Sequence, residues 1–283
     1  MQTKTREFLT KNGLTQSILA RSLGVSTSAI SQYLKAVYKG DVAGLEVKIN
    51  DFMNNYKNKD NVKALKIVQT ADLNMAHFIL DECIIGNEMA IVFGKPGCGK
   101  TTTIKEFVKT HPEAILIEAI PGMQIRSVLS SICEKLGIQS LSNSEIMIVD
   151  ISNEFKRRES ILIIDEAENL TTKTLEAIRR IWDFSNVPTA LVGTPALLTN
   201  LKGRNGELLQ LYSRISGVWE FKGLTDDDFK ALFNDSSNDI KAITTHLRRA
   251  VNIYKKAVRF AQMKNETINA GHIKSASSMV ILG

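Results

Sequence analysis

The chain has 283 residues, of which 43% are hydrophobic and 23% are charged, and its net charge is +6. This composition excludes a disordered chain, and the length predicts one large domain or two smaller ones. No apolar run approaches the roughly 20 residues that span a bilayer, and three widely spaced cysteines exclude a disulfide framework and a zinc site. We therefore expect a cytoplasmic protein.

Basic charge is concentrated at both ends of the chain. Residues 1–70 hold 11 Lys and Arg against 5 Asp and Glu, and residues 241–274 hold 8 Lys and Arg against the single acidic residue Glu266. Polyanions such as nucleic acids are natural partners for such surfaces, although a basic stretch can equally be a solvated surface. Charge alone therefore leaves the partner open.

Residues 1–58 predict an all-α DNA-binding domain with a helix-turn-helix. Two short helices, at residues 15–23 and 26–35, flank the turn Gly24-Val25, and Ser26 is a good N-cap for the second. We expect a buried apolar face formed by Ile18, Leu23, Val25, Ile30 and Leu34. The polar residues that would face a major groove are Thr27, Ser28, Ser31, Gln32 and Lys35. An unrelated helical hairpin would show the same pattern.

A polar, charged stretch at residues 54–61 predicts a linker, and apolar runs then alternate with helical patterns over residues 64–222. The runs that are short and apolar enough for buried parallel strands lie at residues 89–93, 114–119, 161–164, 189–192 and 218–221. Strands that alternate with helices in this way predict an α/β fold with a five-stranded parallel sheet.

The first strand leads into the sharpest motif of the chain, G-x-x-x-x-G-K-[ST], which is matched by Gly94, Lys95, Pro96, Gly97, Cys98, Gly99, Lys100 and Thr101. A helix beginning at Thr102 follows, so backbone N–H groups converge on one anion. We expect Lys100 to hold the β- and γ-phosphates, the Thr101 hydroxyl to bind Mg²⁺, and Thr102 to complete the nucleotide site. The only Asn-Lys-Asp string, at residues 58–60, precedes the motif, which disfavours guanine and indicates ATP.

Two carboxylates follow the strand at residues 161–164. Asp165 would complete the Mg²⁺ shell, and Glu166 would polarise the attacking water as the general base, with Glu168 as a weaker alternative. Acidic residues also occur at ordinary helix N-termini, where the helix dipole stabilises them. The phosphate-binding motif upstream favours the catalytic interpretation.

The strand pattern stops at Gly223, and residues 223–283 predict a small helical domain. We expect helices at residues 226–233 and 244–264. The second of these carries an apolar stripe at helical spacing, formed by Leu247, Val251, Tyr254 and Val258.

In this order, the motifs resemble those of the AAA+ ATPases of DNA transposition. The resemblance rests on the helix-turn-helix, the GKPGCGKT and IIDEAE sequences, the SRI sequence at residues 213–215 and the basic helical tail, and it covers nearly the whole chain. It implies an AAA+ P-loop core at residues 64–222 and a helical lid at residues 223–283. Many ATPases share the two nucleotide motifs, so their order behind a helix-turn-helix is the specific feature.

The resemblance also implies roles for residues outside these motifs. Thr194 would be sensor 1 at the γ-phosphate, and Arg214 would be the arginine finger that reaches a neighbouring subunit. Arg248, or else Arg249, would be sensor 2 in the lid. The basic run Lys156, Arg157 and Arg158 would contact DNA. Each arginine has an alternative as a surface ion pair, and the basic run as an exposed helix end.

The function that the resemblance implies is an ATP- and Mg²⁺-dependent ATPase of a phage or mobile element. Such proteins oligomerise on duplex DNA as filaments or rings and deliver it to a cognate transposase, which stimulates hydrolysis, and no membrane is involved. One alternative is a helicase loader or an insertion-sequence helper, which usually lacks the N-terminal domain. Another is an ATP-regulated helix-turn-helix transcription regulator, although the residues after the core leave little space for its sensing repeats.

Overall fold

The computed structural model describes residues 1–63, 67–140, 143–202 and 208–281, and for residue 55 and residues 57–63 it describes the backbone alone. Two compact units make up the chain. The first comprises Met1–Lys66 and Val258–Thr267, and the second comprises Ile67–Ala257 and Ile268–Gly283. The expected start of the ATPase core at residues 64–66 lies outside the described residues.

Residues 1–63 form four helices, α1 (Gln2–Lys11), α2 (Gln16–Leu23), α3 (Thr27–Leu34) and α4 (Val42–Lys63). The side chain of Thr15 caps α2, and the helix ends at Gly24, whose φ of 69° suits glycine. The side chain of Ser26 accepts a hydrogen bond from the N–H of Ala29, which confirms the predicted N-cap of α3. The two short helices and the glycine turn therefore lie where the sequence predicts them.

The predicted inner face of this unit is wrong at one position. Ile18 is 46% exposed, whereas its neighbour Leu19 is 1% exposed and packs in the core with Ile30 and Tyr33. Helix α2 starts after Thr15, and this start turns Leu19 and Leu23, four residues apart, towards the inside. The other predicted core residues, Val25 and Leu34, also pack in or against this cluster.

The predicted linker at residues 54–61 is also wrong, because α4 continues without a break to Lys63. The sequence after Gly44 contains no proline or glycine before that point, so nothing in it stops a helix. A polar composition alone does not end a helix that has already formed.

The second unit contains a five-stranded sheet in the order β2-β3-β4-β1-β5, and all neighbouring strands are parallel, as predicted. The strands are β1 (Met89–Phe93), β2 (Ile115–Glu118), β3 (Leu162–Asp165), β4 (Thr189–Gly193) and β5 (Ile215–Glu220). The three central strands are buried throughout, whereas β5 at the edge alternates half-buried and exposed residues. Because of this alternation, the sequence pattern did not indicate the first half of β5. Val218, which we expected to be buried in the strand, is exposed.

Helices cover both faces of the sheet. One face packs against α5 (Ala71–Gly86) and α6 (Lys100–Thr110). The other packs against α7 (Ile125–Leu136), α8 (Ser144–Phe155), α9 (Thr172–Ser185), α10 (Pro195–Lys202) and α11 (Leu209–Tyr212). The resulting three layers are those of a doubly wound α/β domain, in which ligands bind at the carboxyl ends of the strands.

After the sheet the chain is helical, with α12 (Asp226–Phe233), α13 (Ser237–Ile243), α14 (Leu247–Lys264) and α15 (Ala270–Ser277). The expected bounds of α12 are confirmed, and α14 starts three residues later than expected. The residues of its predicted apolar stripe, Leu247, Val251, Tyr254 and Val258, are all half-buried and lie beside the fully buried positions of the helix. In the second unit the buried residues of α14 are Ala250, Ile253 and Ala257. The two alanines allow close helix packing because their side chains are small.

Candidate functional site

The loop from Gly94 to Gly99 connects β1 to α6 at the carboxyl end of the sheet. Gly97 and Gly99 have φ angles of +77° and +110°, a region that residues with a side chain rarely adopt. The N–H of Gly94 donates to the carbonyl of Gly193 over 3.1 Å, which ties the loop to the end of β4. The glycines of the motif thus permit the sharp turn that aims backbone N–H groups at one point.

Lys100 is the first residue of α6, and its side chain turns back into the loop. Its Nζ donates to the carbonyl oxygens of Gly94 at 2.8 Å and Lys95 at 3.2 Å, and the residue is only 9% exposed. Thr101 is half-buried and Thr102 is exposed in the first helical turn. No side chain of the described residues caps the N-terminus of α6, so its N–H groups and positive dipole end are suited to an anion.

Cys98 lies in the same loop, with its Sγ 3.8 Å from the Nζ of Lys100. Burial raises the pKa of this thiol, and the nearby ammonium of Lys100 opposes the shift only in part. Burial likewise raises the pKa of Cys83 to about 12. Since thiolates are the reactive form, the loop cysteine is kept as a thiol and not as a nucleophile.

Asp165 lies at the carboxyl end of β3 and is 2% exposed, and its Oδ1 accepts a hydrogen bond from the N–H of Glu166 over 2.9 Å. Glu166 itself is exposed and has a φ of +54°, a strained backbone for a residue with a side chain. Its Oε2 accepts a hydrogen bond from the Nδ2 of Asn169 over 3.3 Å, a contact that the sequence did not reveal. Strain at the carboxylate next to the predicted metal-binding position is typical of an active site.

Thr194 follows β4, and β4 lies between β3 and β1 in the sheet. Because all three strands are parallel, their carboxyl ends share one edge, and this edge brings together the phosphate loop, Thr194 and Asp165. Thr194 is half-buried there. The set of an ammonium group, N–H donors, hydroxyls and a carboxylate fits a nucleoside triphosphate with Mg²⁺.

Glu168 is a second carboxylate at the same edge. Its Oε2 is buried without a hydrogen-bond partner among the described residues and lies against Gly193 at the end of β4. Its main-chain carbonyl accepts a hydrogen bond from the Nδ2 of Asn200 over 3.0 Å. Glu168, the weaker alternative for the general base, therefore points into the sheet edge, whereas Glu166 faces solvent.

Arg214 lies immediately before β5, at the edge of the sheet opposite the phosphate loop. Six strand residues at about 3.3 Å each separate the two edges by about 20 Å. The Nε of Arg214 contacts the Oδ1 of Asp183 at 2.6 Å, and its guanidinium lies 5.8 Å from the centre of the Trp182 ring. Arg214 therefore cannot reach the phosphate loop of its own chain, and its role as an arginine finger stays a prediction.

The basic run Lys156, Arg157 and Arg158 lies at the end of α8, also at the amino edge of the sheet. Arg157 and Arg158 both pair with Glu154, and the Nη2 of Arg158 donates to the carbonyl of Leu136 over 2.8 Å. Lys156 is exposed. Glu154 thus neutralises part of this run, and its contact with DNA stays a prediction.

The start of the lid rests on the phosphate loop within the second unit. The Nε2 of His246 lies 2.7 Å from the carbonyl oxygen of Pro96, and the N–H of Arg248 donates to the carbonyl of Gly97 over 3.2 Å. The side chain of Arg248 is exposed beside this loop, and Arg249 is half-buried. Arg248 therefore lies beside the phosphate loop, and its role as sensor 2 stays a prediction. Sequence reasoning missed His246.

In the first unit, the residues predicted to face DNA lie on the outside of α3 and at its end. Thr27, Ser28, Gln32 and Lys35 are exposed, and Ser31 is half-buried. The hydroxyls of Ser26 and Ser28 lie 2.9 Å apart, so Ser28 takes part in the cap of the helix. Contact of this surface with DNA stays a prediction.

None of the helices in the described ranges combines the length and hydropathy of a membrane-spanning segment.

Comparison with known proteins agrees with this geometry. A family model described as an AAA domain matches residues 85–201. The chain is 31% identical over 220 residues to the Mu-like prophage FluMu DNA transposition protein B of Haemophilus influenzae, an alignment that covers 75% of this chain and 77% of that protein. It is 22% identical over 275 residues to the ATP-dependent target DNA activator B of Escherichia phage Mu, covering 91% of this chain and 88% of that protein.

Among solved structures, the Aeropyrum pernix ORC2 protein shares the fold, with a TM-score of 0.58 at 16% identity over 74% of this chain and 67% of that one. The sequence identity to the two transposition proteins confirms the resemblance seen in the sequence motifs. With its AAA domain and its identity to transposition protein B, the chain belongs to the MuB family of AAA+ P-loop ATPases of DNA transposition.

Proposed function

We propose that this protein is an ATP-dependent, DNA-binding ATPase that prepares target DNA for a transposase. One observation carries the proposal: Lys100, Asp165 and Thr194 converge at one edge of the sheet. They do so in a chain related to a protein named as an ATP-dependent target DNA activator. The basic N-terminal residues and the exposed polar face of α3 supply the surface for DNA.

In the proposed reaction, the N–H groups at the start of α6 and the ammonium of Lys100 hold the phosphates of ATP. Thr101 and Asp165 are the residues that would hold Mg²⁺, which when bound neutralises charge on the phosphates. Glu166 accepts a proton from the attacking water, and Thr194 orients that water beside the γ-phosphate. Arg248, next to Gly97, closes the site from the lid side.

The proposed DNA contacts are made mainly to phosphates. Arg21 and Lys35 are exposed near the polar residues of α3, and the duplex attracts such cations regardless of sequence. We expect the affinity for duplex DNA to fall steeply with salt, with log K decreasing by about 0.9 per log unit of salt for each phosphate neutralised.

Oligomerisation is the third part of the proposal. Because Arg214 lies about 20 Å from its own phosphate loop, its guanidinium can serve only a nucleotide held by another copy. Such a role requires Arg214 to exchange Asp183 for a phosphate, which couples hydrolysis to assembly. A transposase that alters the contact between copies would then control the release of DNA.

The substitution Lys100→Ala tests the proposal. We expect loss of ATP binding and, with it, loss of ATP-dependent retention of duplex DNA, because a buried ammonium that contacts the phosphates is removed. Calorimetry with ATP and filter retention of labelled duplex measure the two effects. The matched control is Lys105→Ala, an exposed lysine on the same helix that pairs with Glu118.

Two results would contradict the proposal. ATP-dependent DNA retention by the Lys100→Ala protein would remove the nucleotide mechanism. Retention of a single operator-like sequence without any nucleotide would favour the helix-turn-helix transcription regulator instead.

A further inference from the structure

Three consecutive lid residues contact the phosphate loop. His246 and Arg248 bond the carbonyls of Pro96 and Gly97, as described above. The side chain of Leu247 lies so close to Gly99 that a Cβ on that glycine would be 3.0 Å from its Cδ2. A Cβ on Gly97 would be 2.6 Å from the Cε1 of His246. The loop and the start of the lid are therefore in direct contact, with no space between them.

The chemistry of the contact fixes the role of the imidazole. A proline carbonyl can only accept a hydrogen bond, so the Nε2 of His246 carries the proton. The same peptide group joins the carbonyl of Pro96 to the N–H of Gly97, and a donor on the carbonyl polarises that N–H and strengthens it as a donor. His246 is thus linked to the N–H of Gly97 through this one peptide group.

A purely stabilising role does not explain this histidine. Its Nδ1 is buried without a hydrogen-bond partner among the described residues, and such an atom destabilises the folded state. An apolar side chain in this position would avoid that cost. What the histidine supplies, and an apolar side chain cannot, is the N–H that donates to the phosphate loop.

We infer that His246 is a positioning residue of the nucleotide site, which couples docking of the lid to the shape of the phosphate loop. The inference rests on the nucleotide site proposed above. Pro96 and Gly97 belong to the phosphate loop, which ATP and ADP would both contact. The hydrogen bond from His246 to Pro96 therefore supports the binding of both nucleotides alike. Arg248, as the predicted sensor 2, would in contrast act on the terminal phosphate and favour ATP.

Calorimetry with ATP and with ADP on the full-length protein tests the inference. We expect His246→Ala to weaken the binding of both nucleotides by about five- to tenfold, because a loop that has lost this contact must be ordered at the expense of binding, at a cost of the order of one hydrogen bond. His246→Gln, which can place an amide N–H near the same carbonyl, should restore both affinities to within about twofold. In steady-state hydrolysis the alanine variant should raise KM and leave kcat unchanged.

Two controls keep the result specific. Thr245→Ala changes an exposed neighbour and should leave both affinities unchanged. The thermal unfolding of the His246→Ala protein without nucleotide should match the wild type, because the substitution also removes the buried, unpartnered Nδ1. A merely structural contact would instead lower the unfolding temperature and leave both nucleotide affinities unchanged.

The outcomes separate this inference from the proposed function. Failure of the wild-type protein to bind ATP would contradict the function itself. ATP binding that Lys100→Ala abolishes and His246→Ala leaves unchanged would overturn the inference alone, as would a loss confined to ATP.

Discussion

At the scale of single residues, the two carboxylates after β3 have different environments. Glu166 is exposed, on a strained backbone beside Asp165, the predicted Mg²⁺ ligand, whereas the Oε2 of Glu168 is buried against Gly193. A general base must reach a water at the γ-phosphate, and a side chain open to the site can do so. The geometry therefore favours Glu166 as the base and gives Glu168 a structural position at the end of β4.

The pair of variants Glu166→Gln and Glu168→Gln distinguishes the two roles. We expect Glu166→Gln to slow single-turnover hydrolysis by about 10²–10⁴-fold and to keep ATP bound, since the amide cannot take a proton. The bound ATP should then hold the protein on DNA. Glu168→Gln should hydrolyse ATP within a few-fold of the wild-type rate, and a reversal of these two effects would assign the base to Glu168.

The residue scale also shows what the sequence could reveal. The residues of the phosphate loop and Asp165 follow from fixed motif spacing, because the turn needs glycine and the metal needs a carboxylate at a strand end. His246 could not be predicted, because it lies 150 residues from Pro96 in the sequence and carries no motif. Only the folded lid brings the two together.

At the scale of elements, a buried carboxylate joins the start of α5 to the segment that leads from β5 to α12. Asp72 accepts hydrogen bonds from the N–H of Lys222 at 3.0 Å and of Gly223 at 2.8 Å. In return, Asp228 on α12 accepts one from the N–H of Ala71 over 3.2 Å. These reciprocal bonds hold the point where the sheet ends and the helical lid begins.

Asp72→Ala should therefore lower the free energy of unfolding by about 1–3 kcal/mol, because it leaves two N–H groups without their acceptor. Urea unfolding followed by circular dichroism measures the change. Asp227→Ala, an exposed aspartate in the first turn of α12, is the control and should change stability little. Equal stability of the Asp72→Ala and wild-type proteins would show that the bonds do not hold the segment.

The elements also show where sequence patterns fail. Central strands such as β1 and β4 were predicted closely because they are buried throughout and mostly apolar, as is typical of parallel strands. The edge strand β5 was found only in part, since half of its residues face solvent. Helix α2 was placed correctly, yet its buried face was assigned to Ile18 instead of Leu19, because one residue shifts a helix face by 100°.

At the scale of the whole molecule, the residues of the proposed site lie at the two edges of the sheet. The phosphate loop is at the carboxyl edge, and Arg214 is at the amino edge with Asp183. An assembly in which the amino edge of one copy meets the carboxyl edge of the next would complete the site. Head-to-tail contacts of this kind build either an open filament or a closed ring.

Arg214→Ala tests this division. We expect unchanged affinity for ATP, because Arg214 does not reach its own nucleotide, together with loss of DNA-stimulated hydrolysis. Equilibrium binding and hydrolysis rates with and without duplex DNA provide the comparison, and Arg180→Ala, an exposed arginine on α9, serves as the control. Normal DNA-stimulated turnover would show that no arginine is donated between copies.

The most direct measurement of the central claim is electron microscopy of the purified protein on duplex DNA, with ATP and with ADP. The account predicts ordered protein assemblies along the DNA with ATP and bare or sparsely bound DNA with ADP. Identical images with both nucleotides, or isolated particles on the DNA in each case, would contradict it.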